Sequence, residues 1–152
     1  MQRTILVLII IVVLIAVILG IYFLFASPNS GGIGINPGSN YDAKGVKVEI
    51  LKQGSGVQAK SGDNVIVDYV GTLQNGKKFD SSIDRNAPFA FTLSKSSVIK
   101  GFDSGILGMR VGERRKLTIP PELGYSSANL ALIPPNSTLI YEVELLRINN
   151  SK

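Results

Sequence analysis

"SVIKGFDSGILGM", residues 97–109, is where the sequence changes period. On both sides of it, apolar and polar residues alternate. Within it, Ile99, Phe102, Ile106 and Met109 recur three or four positions apart, the spacing of one helical face. One short helix is predicted here, ending near Gly108.

Outward from this stretch the period is two, as in strands with one buried face. "VKVEI" alternates Val46, Val48 and Ile50 against Lys47 and Glu49. "NVIVDYVGTL" places Val65, Val67, Tyr69, Gly71 and Leu73 on one face. "FAFTL" groups Phe89, Phe91 and Leu93, and "RKLTI" pairs Leu117 with Ile119. "TLIYEVELL" turns Leu139, Tyr141, Val143 and Leu145 inward, with Glu142 and Glu144 outward. Two turn signals suggest hairpins: "QNGKK", with Asn75-Gly76, and "VGERR", with Gly112. One helix and about five antiparallel strands specify an α+β domain whose sheet wraps the helix.

The chain has 152 residues, with 16 basic and 11 acidic side chains. Only Arg3 among these lies in the first 41 positions. That distribution predicts a membrane segment followed by a soluble domain. Residues 5–26, "ILVLIIIVVLIAVILGIYFLFA", carry no charge. As a helix they would be about 33 Å long, enough for a hydrocarbon core of about 30 Å. A cleaved signal peptide is the alternative. Leu24 and Phe25, however, occupy the −3 place for cuts after Ala26 and Ser27, where small residues are required. An uncleaved signal-anchor helix is therefore expected. Residues 1–4, with Arg3, would remain cytoplasmic and the soluble domain would be extracytoplasmic. Residues 27–45, rich in Gly, Ser, Asn and Pro, read as a flexible linker. Residues 46–148 form the domain and 149–152 a tail.

The composition removes several chemistries. There is no histidine and no cysteine, so disulfides, thiol nucleophiles and His-assisted hydrolysis are excluded. A zinc site would need carboxylates alone, and no metal or cofactor is expected. The basic residues of 42–152 are dispersed apart from Lys77-Lys78 and Arg114-Arg115-Lys116, and both clusters have acids nearby. They read as solvated surface, with no nucleic-acid partner. Asn136-Ser137-Thr138 matches a glycosylation acceptor but reads more simply as a turn entering the last strand.

Five blocks, "GKKFDSS", "PFAFTL", "VIKGFDSGILGM", "VGERRKLTIPPELGY" and "IPPNSTLIYEVELL", follow one another in order. Together they resemble the FKBP family of peptidyl-prolyl cis-trans isomerases, over about residues 46–148. The resemblance implies a twisted antiparallel sheet of five to six strands wrapped around one short helix. It also implies an apolar pocket between helix and sheet that receives proline-containing segments of folding proteins. Macrolide inhibitors of the FKBP class would enter the same pocket.

Carried over by position, the catalytic residues are Tyr69, Asp80, Phe102 and Tyr125. Substrate-binding positions are Phe79, Phe89, Val98, Ile99, Ile133 and Tyr141, with Arg85 supporting Asp80. In this assignment Phe102 is the floor under the proline ring. The Ile99 N–H holds a substrate carbonyl, and the Tyr125 phenol hydrogen-bonds the substrate. On periodicity alone Phe79, Phe89 and Phe102 are core residues, and Asp80 is a turn residue. Two departures stand out. Phe102 replaces the tryptophan of the best-known small members. The loop "YSSANLALIPPN", residues 125–136, lacks the family's glycines and has an apolar rim, Leu130 to Ile133.

These residue types suit a bond rotation. Twisting a peptide bond costs about 18–20 kcal/mol because resonance makes the C–N bond partly double. The planar amide is the more charge-separated state, so a dry aromatic cup favours the twisted one relative to it. No covalent bond is made or broken. A binding module of the same fold with little turnover, and a holdase using the Leu130–Ile133 rim, are the alternatives from other classes.

Overall fold

The computed structural model describes Gly38 and residues 40–149. The signal-anchor helix expected at 5–26, most of the expected linker 27–45 and the tail 149–152 apart from Asn149 lie outside the described residues. Among the described residues no helix is long and apolar enough to cross a membrane.

Seven antiparallel strands form one sheet: β1 (Asn40–Ala43), β2 (Val46–Lys52), β3 (Asn64–Leu73), β4 (Lys78–Ser81), β5 (Phe89–Thr92), β6 (Arg114–Ile119) and β7 (Leu139–Asn149). The order is β1-β2-β6-β7-β3-β4, and β5 also pairs with β3. The long central strands follow the predicted alternation. Val65, Val67, Leu139, Val143 and Leu145 are fully enclosed, while Glu142 is exposed. Burying each such aliphatic side chain contributes roughly 1.5–3 kcal/mol.

The sheet has more strands than the five or six expected, because the linker ends earlier than its composition suggests. Asn40–Ala43 pairs with β2, from Asn40 opposite Glu49 to Ala43 opposite Val46. The connection is only Lys44-Gly45, with φ of 55° and 89°. Two successive positive φ values match the right-handed twist of a two-residue hairpin. Asp42 Oδ1 accepts the Gly45 N–H at 2.7 Å and fixes the turn.

The Asn75-Gly76 turn joins β3 to β4, with Gly76 at φ 82°. Gly112, at φ 83°, also makes a turn, but not the expected hairpin. Arg110 before it bridges to Gln58, whereas β6 after it lies between β2 and β7.

The helix α1 (Lys100–Ile106) lies against the sheet on its glycine face. A Cβ on Gly101 would come within 2.3 Å of Ile119, and one on Gly105 within 2.5 Å of Leu117. Such distances are below any van der Waals contact, so Gly101→Ala or Gly105→Ala would push the helix off β6. The helix ends two residues before Gly108. There the Gly108 N–H turns to the Ala59 carbonyl, and the Arg115 guanidinium donates to the Gly105 carbonyl of the helix and the Leu107 carbonyl just after it.

Arg115 corrects the reading of Arg114-Arg115-Lys116 as solvated surface. It is buried, as is Glu113, and Nε donates to Glu113 Oε1 at 2.6 Å. The same guanidinium donates to the Gly105 carbonyl at 2.8 Å and lies 5.6 Å from the Tyr41 ring centre. Strand alternation explains this. Arg115 shares the inward parity of Leu117 and Ile119 and lies beneath the end of α1.

Candidate active site

A cleft of about 270 Å³ opens over the start of α1. Its lining is Tyr69, Asp80, Phe89, Ser97, Val98, Ile99, Phe102, Tyr125 and Tyr141. Each position follows from an element. Tyr69 and Tyr141 share the inward parity of β3 and β7, Phe89 begins β5, and Phe102 sits in the first turn of α1.

Phe102 is enclosed from below, 4% exposed. Its ring centre lies 4.9 Å from that of Tyr141, 5.7 Å from Tyr69 and 5.8 Å from Phe91. Tyr69 meets Phe89 and Tyr141 edge to face at 6.0 and 5.8 Å. Edge-to-face rings place positive edges against negative faces, which fixes each ring's tilt. The cleft is therefore floored and walled by rings that hold one another in place.

One rim is polar. The Tyr69 hydroxyl donates to Asp80 Oδ2 at 2.5 Å. The Arg85 guanidinium pairs with the other carboxylate oxygen, Oδ1, and also donates to the Tyr69 hydroxyl at 3.0 Å. The Ser81 N–H adds a bond to Asp80 Oδ1 at 2.8 Å. Burial raises the Asp80 pKa, but the bonds from Tyr69, Arg85 and Ser81 outweigh it and hold the carboxyl below its usual range. Burial, then the bond to Asp80, pushes the Tyr69 phenol up. Burial above all, then neighbouring Tyr125, pushes Tyr141 well up. At neutral pH the brace is thus one carboxylate, one guanidinium and one neutral phenol. Beneath it, Ser82 ties the turn after β4 to β3: its hydroxyl donates to Asp68 at 2.7 Å and accepts the Tyr69 N–H at 2.9 Å.

Of the residues expected at the site, Tyr69, Asp80, Phe89, Val98, Ile99, Phe102, Tyr125 and Tyr141 share the cleft. Arg85 stands behind Asp80 as its partner. Phe79 and Ile133 do not line the cleft. Phe79 packs edge-on behind Tyr141 at 5.5 Å, over Gly71, where a Cβ would come within 2.7 Å of the Phe79 ring. Ile133 is buried in the core cluster. Ser97 lines the cleft and was not foreseen, since nothing in "SKSS" distinguishes one serine from the next. The Ile99 N–H has no protein acceptor among the described residues. Among them, too, no three of Asp, Glu, His or Cys gather as a metal site.

The sequence of residues 55–146 matches the family model for FKBP-type peptidyl-prolyl cis-trans isomerases. The chain belongs to that family. It is 48% identical over 110 residues to a peptidyl-prolyl cis-trans isomerase of Schizosaccharomyces pombe, covering 71% of this chain and 98% of that one. It is 56% identical over 94 residues to FK506-binding protein 2 of Dictyostelium discoideum, covering 61% and 71%. The solved structure of FkpA from Escherichia coli superposes with a TM-score of 0.69 at 39% identity, covering 77% of this chain and 54% of FkpA. This FKBP-type chain is a peptidyl-prolyl cis-trans isomerase. Among the described residues its fold, one antiparallel sheet with one short α-helix, is the family's.

Proposed function

We propose that the aromatic cleft is where this isomerase rotates an Xaa-Pro bond. The observation that carries the proposal is the cleft itself: Phe102 enclosed by Tyr69 and Tyr141, with the Tyr69–Asp80–Arg85 brace at one rim. The proline ring sits on Phe102 between Tyr69, Phe89 and Tyr141, with Val98 and Ile99 closing the helix side. The free Ile99 N–H and the Tyr125 phenol hold substrate carbonyls on either side of the proline. Phe79 and Ile133 act from one layer back, by fixing Tyr141 and the loop base.

Rotation needs no proton transfer. The bonds that matter fix rings rather than move protons, which matches a brace whose groups are all set away from neutral pH. The aromatic surround offers little solvation to the charge-separated planar amide, so the twisted state gains relative to it. The two isomers of Xaa-Pro lie within about 1 kcal/mol of each other, so both are available substrates.

A titration tests the assignment. A Leu-Pro peptide added to isotope-labelled protein should shift the amides of Ile99, Phe102 and Tyr141 most. Shifts concentrated away from the cleft would refute it. A macrolide of the FK506 type, the ligand named for several relatives, should compete with the peptide for the same signals.

The location is part of the proposal. The uncharged run 5–26, flanked by Arg3 alone, supports a signal-anchor with the isomerase domain on the extracytoplasmic side, acting on proteins that fold there. A protease-sensitive tag after Lys152 should be cleaved in intact cells; protection of the tag there would reverse the orientation.

A further inference from the structure

We infer that Asp103 is a positioning residue for the isomerase, acting by clasping the loop that forms one wall of the cleft. The inference rests on the reading that the cleft binds substrate. The loop runs from Leu93 to Ile99, between β5 and α1, and supplies three lining residues in a row: Ser97, Val98 and Ile99. Its backbone is poorly supported. From Ser94 to Ile99 no backbone group makes a long-range backbone hydrogen bond among the described residues. Ser94 and Ser96 both hold left-handed backbone, with φ of 62° and 56°. For residues other than glycine that conformation is costly and persists only where the surroundings impose it.

One polar contact does so. The Ser94 N–H donates to Asp103 Oδ1 at 2.8 Å, across nine residues. Asp103 is the next residue after Phe102, in the first turn of α1. A single carboxylate therefore links the start of the wall to the helix that carries the floor. Val98 and Ile99 pack against the core at the other end of the loop. Between these two anchors Ser97 and the Ile99 N–H take up the positions they have in the cleft. Without the clasp, the left-handed turn at Ser94 loses its one external bond, and the wall spreads over several conformations. Substrate would then have to order the wall on binding, which weakens binding more than the rotation step. An acid in the first turn of a helix also favours the helix by itself, through the helix dipole. That simpler role predicts a loss of stability with unchanged substrate affinity.

The test is Asp103→Ala beside Asp103→Asn in the full chain, with exchange of a Leu-Pro peptide measured by NMR at several concentrations. Asparagine keeps the acceptor oxygen and loses the charge; alanine loses both. Asp103→Ala should raise KM about fivefold, the scale of one lost ordinary hydrogen bond, with kcat changed less than about twofold. Asp103→Asn should stay within about twofold of the parent in both. If alanine does not fold, Asp103→Ser, too short to reach the Ser94 N–H, replaces it. A KM within about twofold of the parent in the alanine or serine variant, or an equal rise in the asparagine variant, overturns the inference. Phe102→Ala run alongside separates the two readings. If Phe102→Ala has no effect on exchange, the cleft assignment itself has failed. If it abolishes exchange while Asp103→Ala leaves KM alone, only the clasp has.

Discussion

Two of the arginine–carboxylate pairs among the described residues are built for different ends. Arg115 and Glu113 are enclosed, their side chains 3% and 4% exposed. Protein meets that pair on several sides: the Gly105 carbonyl, the Arg110 N–H and the face of Tyr41. Arg85 and Asp80 are half open, 49% and 38% exposed, and their third member, Tyr69, is a wall of the cleft. The closed pair holds the end of α1, the turn before β6 and strand β1 in one place. The open pair holds a ring at the edge of the proposed substrate site. Burial raises the cost of breaking a charge pair, and exposure lowers it. The first pair should therefore govern stability, and the second the rate.

The sharpest break of that comparison is Arg115→Met. It leaves Glu113 charged and buried without its partner, and should lower unfolding stability in urea by about 3–5 kcal/mol. Molecules that remain folded should turn over at nearly the parent rate. Replacing both members, Glu113→Leu with Arg115→Met, should recover most of that loss, because no orphaned charge remains. A double variant as unstable as the single one would show that packing, not charge, accounts for the effect.

Arg85→Ala should show the opposite pattern. Its pair is exposed, so stability should hardly change. Tyr69 and Asp80 would lose the group that aligns them, and kcat/KM should fall about tenfold. Stability falling in step with activity would place Arg85 in the same class as Arg115.

The smallest effect expected is that of pH. Asp80 titrates below its ordinary value, and Tyr69 and Tyr141 above theirs. Between about pH 5 and 9 none of the three changes charge, so kcat/KM should be flat there. The sign at each end follows from the direction of the shift. Asp80 is favoured in its ionised form by the fold, so its contribution is present above the unfolded pKa and fades as pH falls through the lowered folded one. The tyrosines are favoured neutral, so their contribution is present below the unfolded pKa and fades as pH rises through the raised folded value. An inflection near pH 7 would mean that a group outside the brace takes part.

Several of these features were legible in the sequence and several were not. Period two in β3 and β7 assigned Tyr69 and Tyr141 to the inner face, and the break in period at Ile99–Met109 located α1. Parity fixes the face of a residue but not its depth. The family resemblance, carried over by position, likewise fixes neighbourhood and not depth: it places Phe79 and Ile133 in the cleft, yet neither is among the lining residues. Strand β1 was hidden because its hairpin uses Lys44-Gly45 instead of the Asn-Gly signal, inside a stretch with linker composition. Arg115 was hidden because charge normally marks surface; only the position of α1 above β6 makes an inward arginine tolerable. Ser97 and Asp103 act through a loop with no periodicity, and loop geometry is set by contacts distant in sequence.

The proposed function places rotation on the ring of Phe102 in the aromatic cleft. The most direct test compares parent and Phe102→Ala by NMR exchange of a Leu-Pro peptide, with thermal unfolding recorded on the same samples. The parent should accelerate exchange, and the variant, still folded at the assay temperature, should lose at least about tenfold in kcat/KM. A folded Phe102→Ala variant that exchanges the peptide as fast as the parent would contradict it.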